Sequence, residues 1–115
     1  MNAKQELEFF NRSTESLNEA RIAVVEFLDG IEVEKKLSIV SATKTLQRAL
    51  TMYERSIRFI MGATISSVLS DYYADVSDAA TTEKEYVTEM FKAVLRQDVK
   101  AFDTHYQAYV QSLSK

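Results

Sequence analysis

The chain has 115 residues, of which 46% are hydrophobic, and carries a formal net charge of −3 at pH 7. This length provides one domain with a hydrophobic core and excludes a second domain. Cysteine is absent, which excludes disulfides, thiol catalysis and cysteine-ligated zinc, whereas two glycines and no proline are typical of an all-α fold. We therefore expect one helical-bundle domain over residues 1-115.

No apolar run at the N-terminus has the length of a signal peptide. The longest uncharged run, from Phe59 to Ser70, is shorter than the roughly 20 residues that cross a membrane. The sequence therefore predicts a cytoplasmic protein that does not bind or span a membrane.

The first predicted helix covers residues 3–29. Its apolar positions alternate in spacings of three and four residues, which is the pattern of a bundle helix. Arg21 interrupts this seam, and we expect its stem to reach solvent, with pairing to an acid on the next helix as the alternative. Gly30 is expected to close a Schellman motif with Ile31, and residues 31–36 are expected to form a loop.

The second predicted helix, residues 38–79, is the longest run without a strong breaker, and Ser38 is its expected N-cap. In its first half the apolar side chains fall on one face and the bases on the opposite face, which forms a basic ridge. From Phe59 to Ser70 apolar side chains surround the helix, so this zone must be covered on all sides. The basic ridge consists of Lys44, Arg48, Arg55 and Arg58.

Two shorter helices follow. Thr82 and Glu85 form the expected capping box of the third, and Asp98 is the expected N-cap of the fourth. Because about three residues join these helices, we expect an antiparallel hairpin that runs back along the end of helix two. The sequence thus predicts an all-α antiparallel bundle of four helices with a long central second helix.

In this arrangement the first half of helix two contacts only helix one, and two helices alone leave a large apolar patch exposed. Such a patch marks an interface, so we expect a homodimer that completes a four-helix layer. The alternative is a break near Gly62, which folds helix two into two pieces and gives a compact monomer. The expected dimer interface consists of Ile39, Leu46, Leu50, Val24, Phe27 and Leu28.

The basic ridge is the most specific candidate site. Residues 37–70 are basic while the segments on both sides are acidic, which favours pairing between helices or a solvated face as the structural interpretation. The functional interpretation is contact with an acidic protein partner. The pI near 5.2 and the lack of a DNA-binding turn argue against nucleic acid.

Enzyme chemistry and metal binding lack the residues that they need. The sequence has no serine nucleophile elbow, phosphate-binding loop or cysteine, so we expect no enzymatic activity and no cofactor. His105 has no ligating residue three or four positions away, and Asp71, Asp75 and Asp78 have regular helical spacing rather than that of a calcium loop. We therefore expect no metal site.

These observations favour a non-enzymatic protein-binding module of the adaptor, chaperone or inhibitor type. Its apolar groove, bordered by the basic ridge, would bind an amphipathic or acidic segment of an unidentified protein. The alternative from another class is a ligand-sensing bundle, and nucleic-acid binding by the ridge is a weaker one. The pocket of the ligand-sensing alternative is lined by Tyr53, Phe59, Phe91 and Tyr106.

Overall fold

A computed structural model describes residues 3–34, 39–61 and 70–113. They form four helices, and the described residues include no strand. The all-α four-helix bundle predicted from the sequence is confirmed. The chain extends over 49 × 22 × 21 Å, and its long dimension matches the roughly 48 Å of a 32-residue helix. The helices are α1 (Ala3–Glu34), α2 (Ile39–Met61), α3 (Ser70–Leu95) and α4 (Val99–Leu113).

Helices α1 and α2 pack antiparallel. The Ser56 hydroxyl of α2 donates a buried hydrogen bond of 2.8 Å to the backbone carbonyl of Ser13 in α1. Further along α2, the Phe59 ring meets the Phe9 ring edge-on with centroids 5.6 Å apart. Residue numbers therefore rise along α2 as they fall along α1.

Helix α3 packs on both of these helices and runs parallel to α1. The buried Tyr73 hydroxyl donates 2.9 Å to the carbonyl of Glu6, and later in both helices Glu83 pairs with Arg21. Because α1 and α2 are antiparallel, α3 is antiparallel to α2. Lys84 of α3 forms an ion pair with Glu54 of α2 in this contact, and the two charged groups are 3.5 Å apart.

The prediction of one long second helix over residues 38–79 is wrong. Helix α2 has 23 residues, fewer than α1 with 32 and α3 with 26, and the residues from Ser70 onward belong to a helix of opposite direction. The physical reason is burial, since the reversal places Tyr73 against α1 and covers the α1–α2 pair with a third helix. The expected N-cap Ser38, most of the uncharged zone and the alternative break at Gly62 lie outside the described residues.

The capping box predicted at Thr82 and Glu85 is also wrong, because both residues lie inside α3. The buried positions of α3 continue through this region at helical spacing, so the helix does not end near residue 79. Glu83 occupies one of these buried positions. Because it is charged, it interrupts the apolar periodicity by which the helix would be recognised in the sequence. The buried residues of α3 are Tyr73, Ala80, Glu83, Val87, Met90, Ala93 and Val94.

Helix α1 does not end at Gly30. Gly30 does not have a positive φ, and helical structure continues to Glu34. Neither the Schellman motif nor the loop at residues 31–34 therefore forms. Glycine adopts the right-handed helical conformation about as readily as the left-handed one, so its presence does not by itself end a helix. Residues 35 and 36 of the predicted loop lie outside the described residues.

Replacing Gly30 by alanine should raise the free energy of unfolding by about 0.5–1 kcal/mol. The position is helical and exposed, and an added Cβ meets no atom within 4 Å. Urea unfolding followed by circular dichroism measures the change. A loss of stability in this variant would instead indicate a left-handed glycine at the end of a shorter helix.

The turn between α3 and α4 agrees with the prediction at Asp98. Its Oδ1 accepts a hydrogen bond of 3.0 Å from the backbone N–H of Ala101, which caps α4. A Schellman motif does close α3, but at Gln97, whose φ is 57°. The N–H of Asp98 donates to the Ala93 carbonyl at 2.9 Å, and that of Gln97 to Val94 at 3.0 Å. Three residues thus join α3 and α4 in the expected antiparallel hairpin.

The side chains predicted to form a dimer interface lie mostly in the core of one chain. Val24 and Leu46 are fully buried and Leu28 is 5% exposed, because α3 covers the layer that α1 and α2 form. Phe27 and Leu50 are partly buried against the same core. Of the six, Ile39 has substantial exposure, at 42%. The exposed patch from which a dimer was inferred is therefore largely absent, and the homodimer itself stays a prediction.

Candidate functional site

Four polar side chains from all four helices meet inside the bundle and form the buried polar cluster: Arg21, Tyr53, Glu83 and Tyr109. The Arg21 guanidinium donates two hydrogen bonds to the Glu83 carboxylate, from Nε at 2.7 Å and from Nη2 at 2.6 Å. The Tyr53 hydroxyl donates to Glu83 Oε1 at 3.0 Å. Since that proton is committed, the Tyr109 hydroxyl donates to the Tyr53 oxygen, 2.7 Å away.

Burial makes this cluster a strong electrostatic feature. Glu83 is 2% exposed and both tyrosines are fully buried, whereas the Arg21 side chain is 34% exposed. Burial raises the pKa of the Tyr53 hydroxyl and raises the pKa of Tyr109 to about 12. The hydrogen bond to Glu83 raises the pKa of the Arg21 guanidinium. Both phenols of the cluster are therefore neutral at neutral pH.

One feature of the sequence indicated the cluster. Arg21 interrupts the apolar seam of α1, and pairing with an acid was the less favoured expectation against a stem that reaches solvent. The acid is Glu83, which occupies a buried heptad position between Ala80 and Val87. A charge at a seam position in two helices is the pattern that could have linked them.

A cleft of about 360 Å³ opens beside the Arg21–Glu83 pair. It exists because α4 packs on α3, while the backbones of α4 and α1 do not approach each other over the described residues. The gap between these two helices exposes one edge of the polar cluster to solvent. The cleft is lined by Arg21, Asp78, Ala79, Thr82, Glu83, Tyr86, Ala108, Gln111, Ser112 and Leu113.

The basic ridge of α2 faces solvent. Lys44, Arg48, Arg55 and Arg58 are all exposed. Arg58 has one weak contact, 3.8 Å from a Glu54 carboxylate oxygen, and its side chain is 81% exposed. Within the part of the chain that the structure describes, the other three bases form no ion pair. The structure therefore places the ridge on the surface instead of pairing it with the acids of the neighbouring helices.

A shallow groove of about 290 Å³ lies between α1 and α2 at the end of the ridge formed by Arg55 and Arg58. Its apolar end is the edge-on pair of Phe9 and Phe59, whose rings are both half-buried. A second hollow of about 290 Å³ on the α1 side adds the exposed base Arg12. The groove is lined by Phe9, Thr51, Glu54, Arg55, Arg58 and Phe59.

The four residues predicted to line a ligand pocket have different surroundings. Tyr53 is fully buried in the polar cluster, and Phe59 borders the groove of α2. Phe91 and Tyr106 are partly buried against the hydrophobic core. A pocket formed by all four stays a prediction.

Among the described residues, no group of three or more His, Cys, Asp or Glu side chains has the arrangement of a metal site. The same residues contain no helix that is long and apolar enough to span a membrane. No protein-family model matches the sequence, and neither the curated proteins nor the solved structures contain a significant match.

Proposed function

We propose that this chain is a non-enzymatic protein-binding module that engages an acidic, amphipathic segment of a partner. The docking surface is the basic ridge together with the groove that ends at Phe9 and Phe59. The observation that carries this proposal is the exposure of Arg55 and Arg58 in a groove that also holds a half-buried aromatic pair. Arg48 is exposed earlier on the same helix.

The chemistry of the surface supports an acidic partner with an apolar anchor. Arginine binds carboxylates through a planar fork of donors, and Arg48 and Arg55 have no acid paired with them among the described residues. Glu54, the acid inside the groove, is already contacted by Lys84 and Arg58. Aromatic side chains flanked by arginine are also the composition that protein interfaces favour.

The spacing of the groove-lining residues along α2 supports a helical or extended segment as the ligand. Thr51, Glu54, Arg55 and Arg58 succeed one another at helical spacing along α2, so the groove runs parallel to the helix axis. A partner helix laid along it can place carboxylates opposite the arginines and one large apolar side chain against the phenylalanines.

Selection of displayed peptides against the purified chain tests this proposal. We expect the enriched peptides to be acidic and to carry a large apolar residue. Changing Arg48, Arg55 and Arg58 together to Gln should weaken their binding about tenfold or more, since a hydrogen bond to a charged group contributes about 1.5–3 kcal/mol.

The matched control changes three exposed bases near the α3–α4 turn to Gln, namely Lys92, Arg96 and Lys100. This control removes the same charge but leaves the ridge intact, so peptide binding should persist. Enrichment of basic peptides, or equal weakening by both triple variants, would contradict the proposal. Tighter binding of duplex DNA or RNA than of any acidic peptide would favour the nucleic-acid alternative.

A further inference from the structure

The cleft between α1 and α4 lies outside the proposed docking surface, and the proposed function does not use it. Its volume of about 360 Å³ is within the range of small-molecule sites. The cleft is therefore large enough to hold a small molecule.

The charges that line the cleft do not cancel. Arg21 and Glu83 neutralise each other through their two hydrogen bonds, which leaves the carboxylate of the exposed Asp78. No ion pair involves Asp78 among the described residues. A ligand that matches this electrostatic environment carries a cationic group.

Arg21 favours an oxygen acceptor, such as a carboxylate, on the same ligand. A guanidinium has five N–H donors, and Glu83 accepts from two of them. The side chain is 34% exposed and lines the cleft, so the three remaining donors can bind an oxygen acceptor. Because Glu83 holds two of its nitrogens, the guanidinium is fixed in place before a ligand arrives.

We propose that this cleft binds a free α-amino acid. The ammonium group pairs with Asp78, and the carboxylate accepts hydrogen bonds from the donors of Arg21 that Glu83 leaves free. Tyr86 and Leu113 provide apolar surface for an aliphatic or aromatic side chain. The buried Arg21–Glu83 pair orients the binding group, in the way that a supporting shell fixes a binding residue.

Titration with L-leucine, followed by amide NMR, tests this site. The two matched probes are isoamylamine, which lacks the carboxylate, and 4-methylpentanoate, which lacks the ammonium group. We expect L-leucine to shift the amide signals around Asp78, Thr82 and Gln111. Each analogue should bind at least about tenfold more weakly than L-leucine, because each loses one charged contact. Equal binding of either analogue would overturn the proposal, as would the absence of shifts with both L-leucine and L-phenylalanine.

Asp78→Asn provides the variant test, because this exposed carboxylate carries no structural contact on which folding depends. We expect it to weaken L-leucine binding about tenfold or more. Asp75→Asn removes an exposed carboxylate from the same helix but outside the cleft lining, and should leave the affinity unchanged. If the two variants bind L-leucine equally well, the ammonium does not pair with Asp78 and the proposed site is wrong.

Discussion

Replacing Arg21 by methionine should destabilise the folded chain by about 3 kcal/mol at neutral pH. The substitution keeps the apolar stem but removes the cation from Glu83, which is 2% exposed. A buried carboxylate without its partner is costly, and breaking such a pair usually costs about 3–5 kcal/mol. We expect the lower end, because the Arg21 side chain is 34% exposed and water already screens part of the attraction.

A second substitution distinguishes this explanation from simple loss of packing. Adding Glu83→Gln removes the buried charge and keeps an acceptor for Tyr53, so the double variant should recover much of the loss.

Urea unfolding at neutral pH measures the stability of both variants. Arg12→Met is the matched control, because Arg12 is an exposed arginine on the same helix and should change stability little. A loss for Arg21→Met that is no larger than for Arg12→Met, or that Glu83→Gln does not reduce, would contradict the assignment of a buried ion pair.

Truncating Leu46 to alanine should reduce the free energy of unfolding by about 2–5 kcal/mol. The side chain is fully buried, so its removal costs transfer free energy and leaves a cavity in the core between the helices. Changing Leu46 to aspartate should prevent folding altogether, since the bundle offers this position no water.

Ile39→Ala is the matched control for this prediction, because both residues lie on α2 and both were expected at a dimer interface. Ile39 is 42% exposed, so its truncation should cost much less than that of Leu46. Urea unfolding at several protein concentrations measures both variants. Equal and concentration-dependent losses would instead place Leu46 at an interface between chains.

The sequence predicted those parts of the fold that depend on local chemistry. Helical periodicity gave the all-α bundle, and the short turn capped by Asp98 gave the α3–α4 hairpin. The limits of α2 and α3, and the way α3 packs on α1, could not be predicted in the same way. Glu83 lies where an apolar residue is expected, and its burial depends on Arg21, 62 residues away in the chain.

The candidate sites divide along the same line. The basic ridge could be predicted because it needs only helical spacing on α2, and its bases are exposed as a surface site requires. The polar cluster and the cleft could not, since they join side chains from several helices whose relative positions depend on where α2 ends and α3 begins. The dimer interface was inferred from a straight helix two. In the structure α3 covers most of the interface residues, so they are not exposed.

We propose that the basic ridge and the Phe9–Phe59 groove form one docking surface. Amide NMR of the labelled chain with an enriched acidic peptide tests this proposal. We expect the largest shifts along α2 from Arg48 to Phe59 and around Phe9 of α1. Shifts confined to the α3–α4 hairpin, with the ridge unchanged, would contradict it.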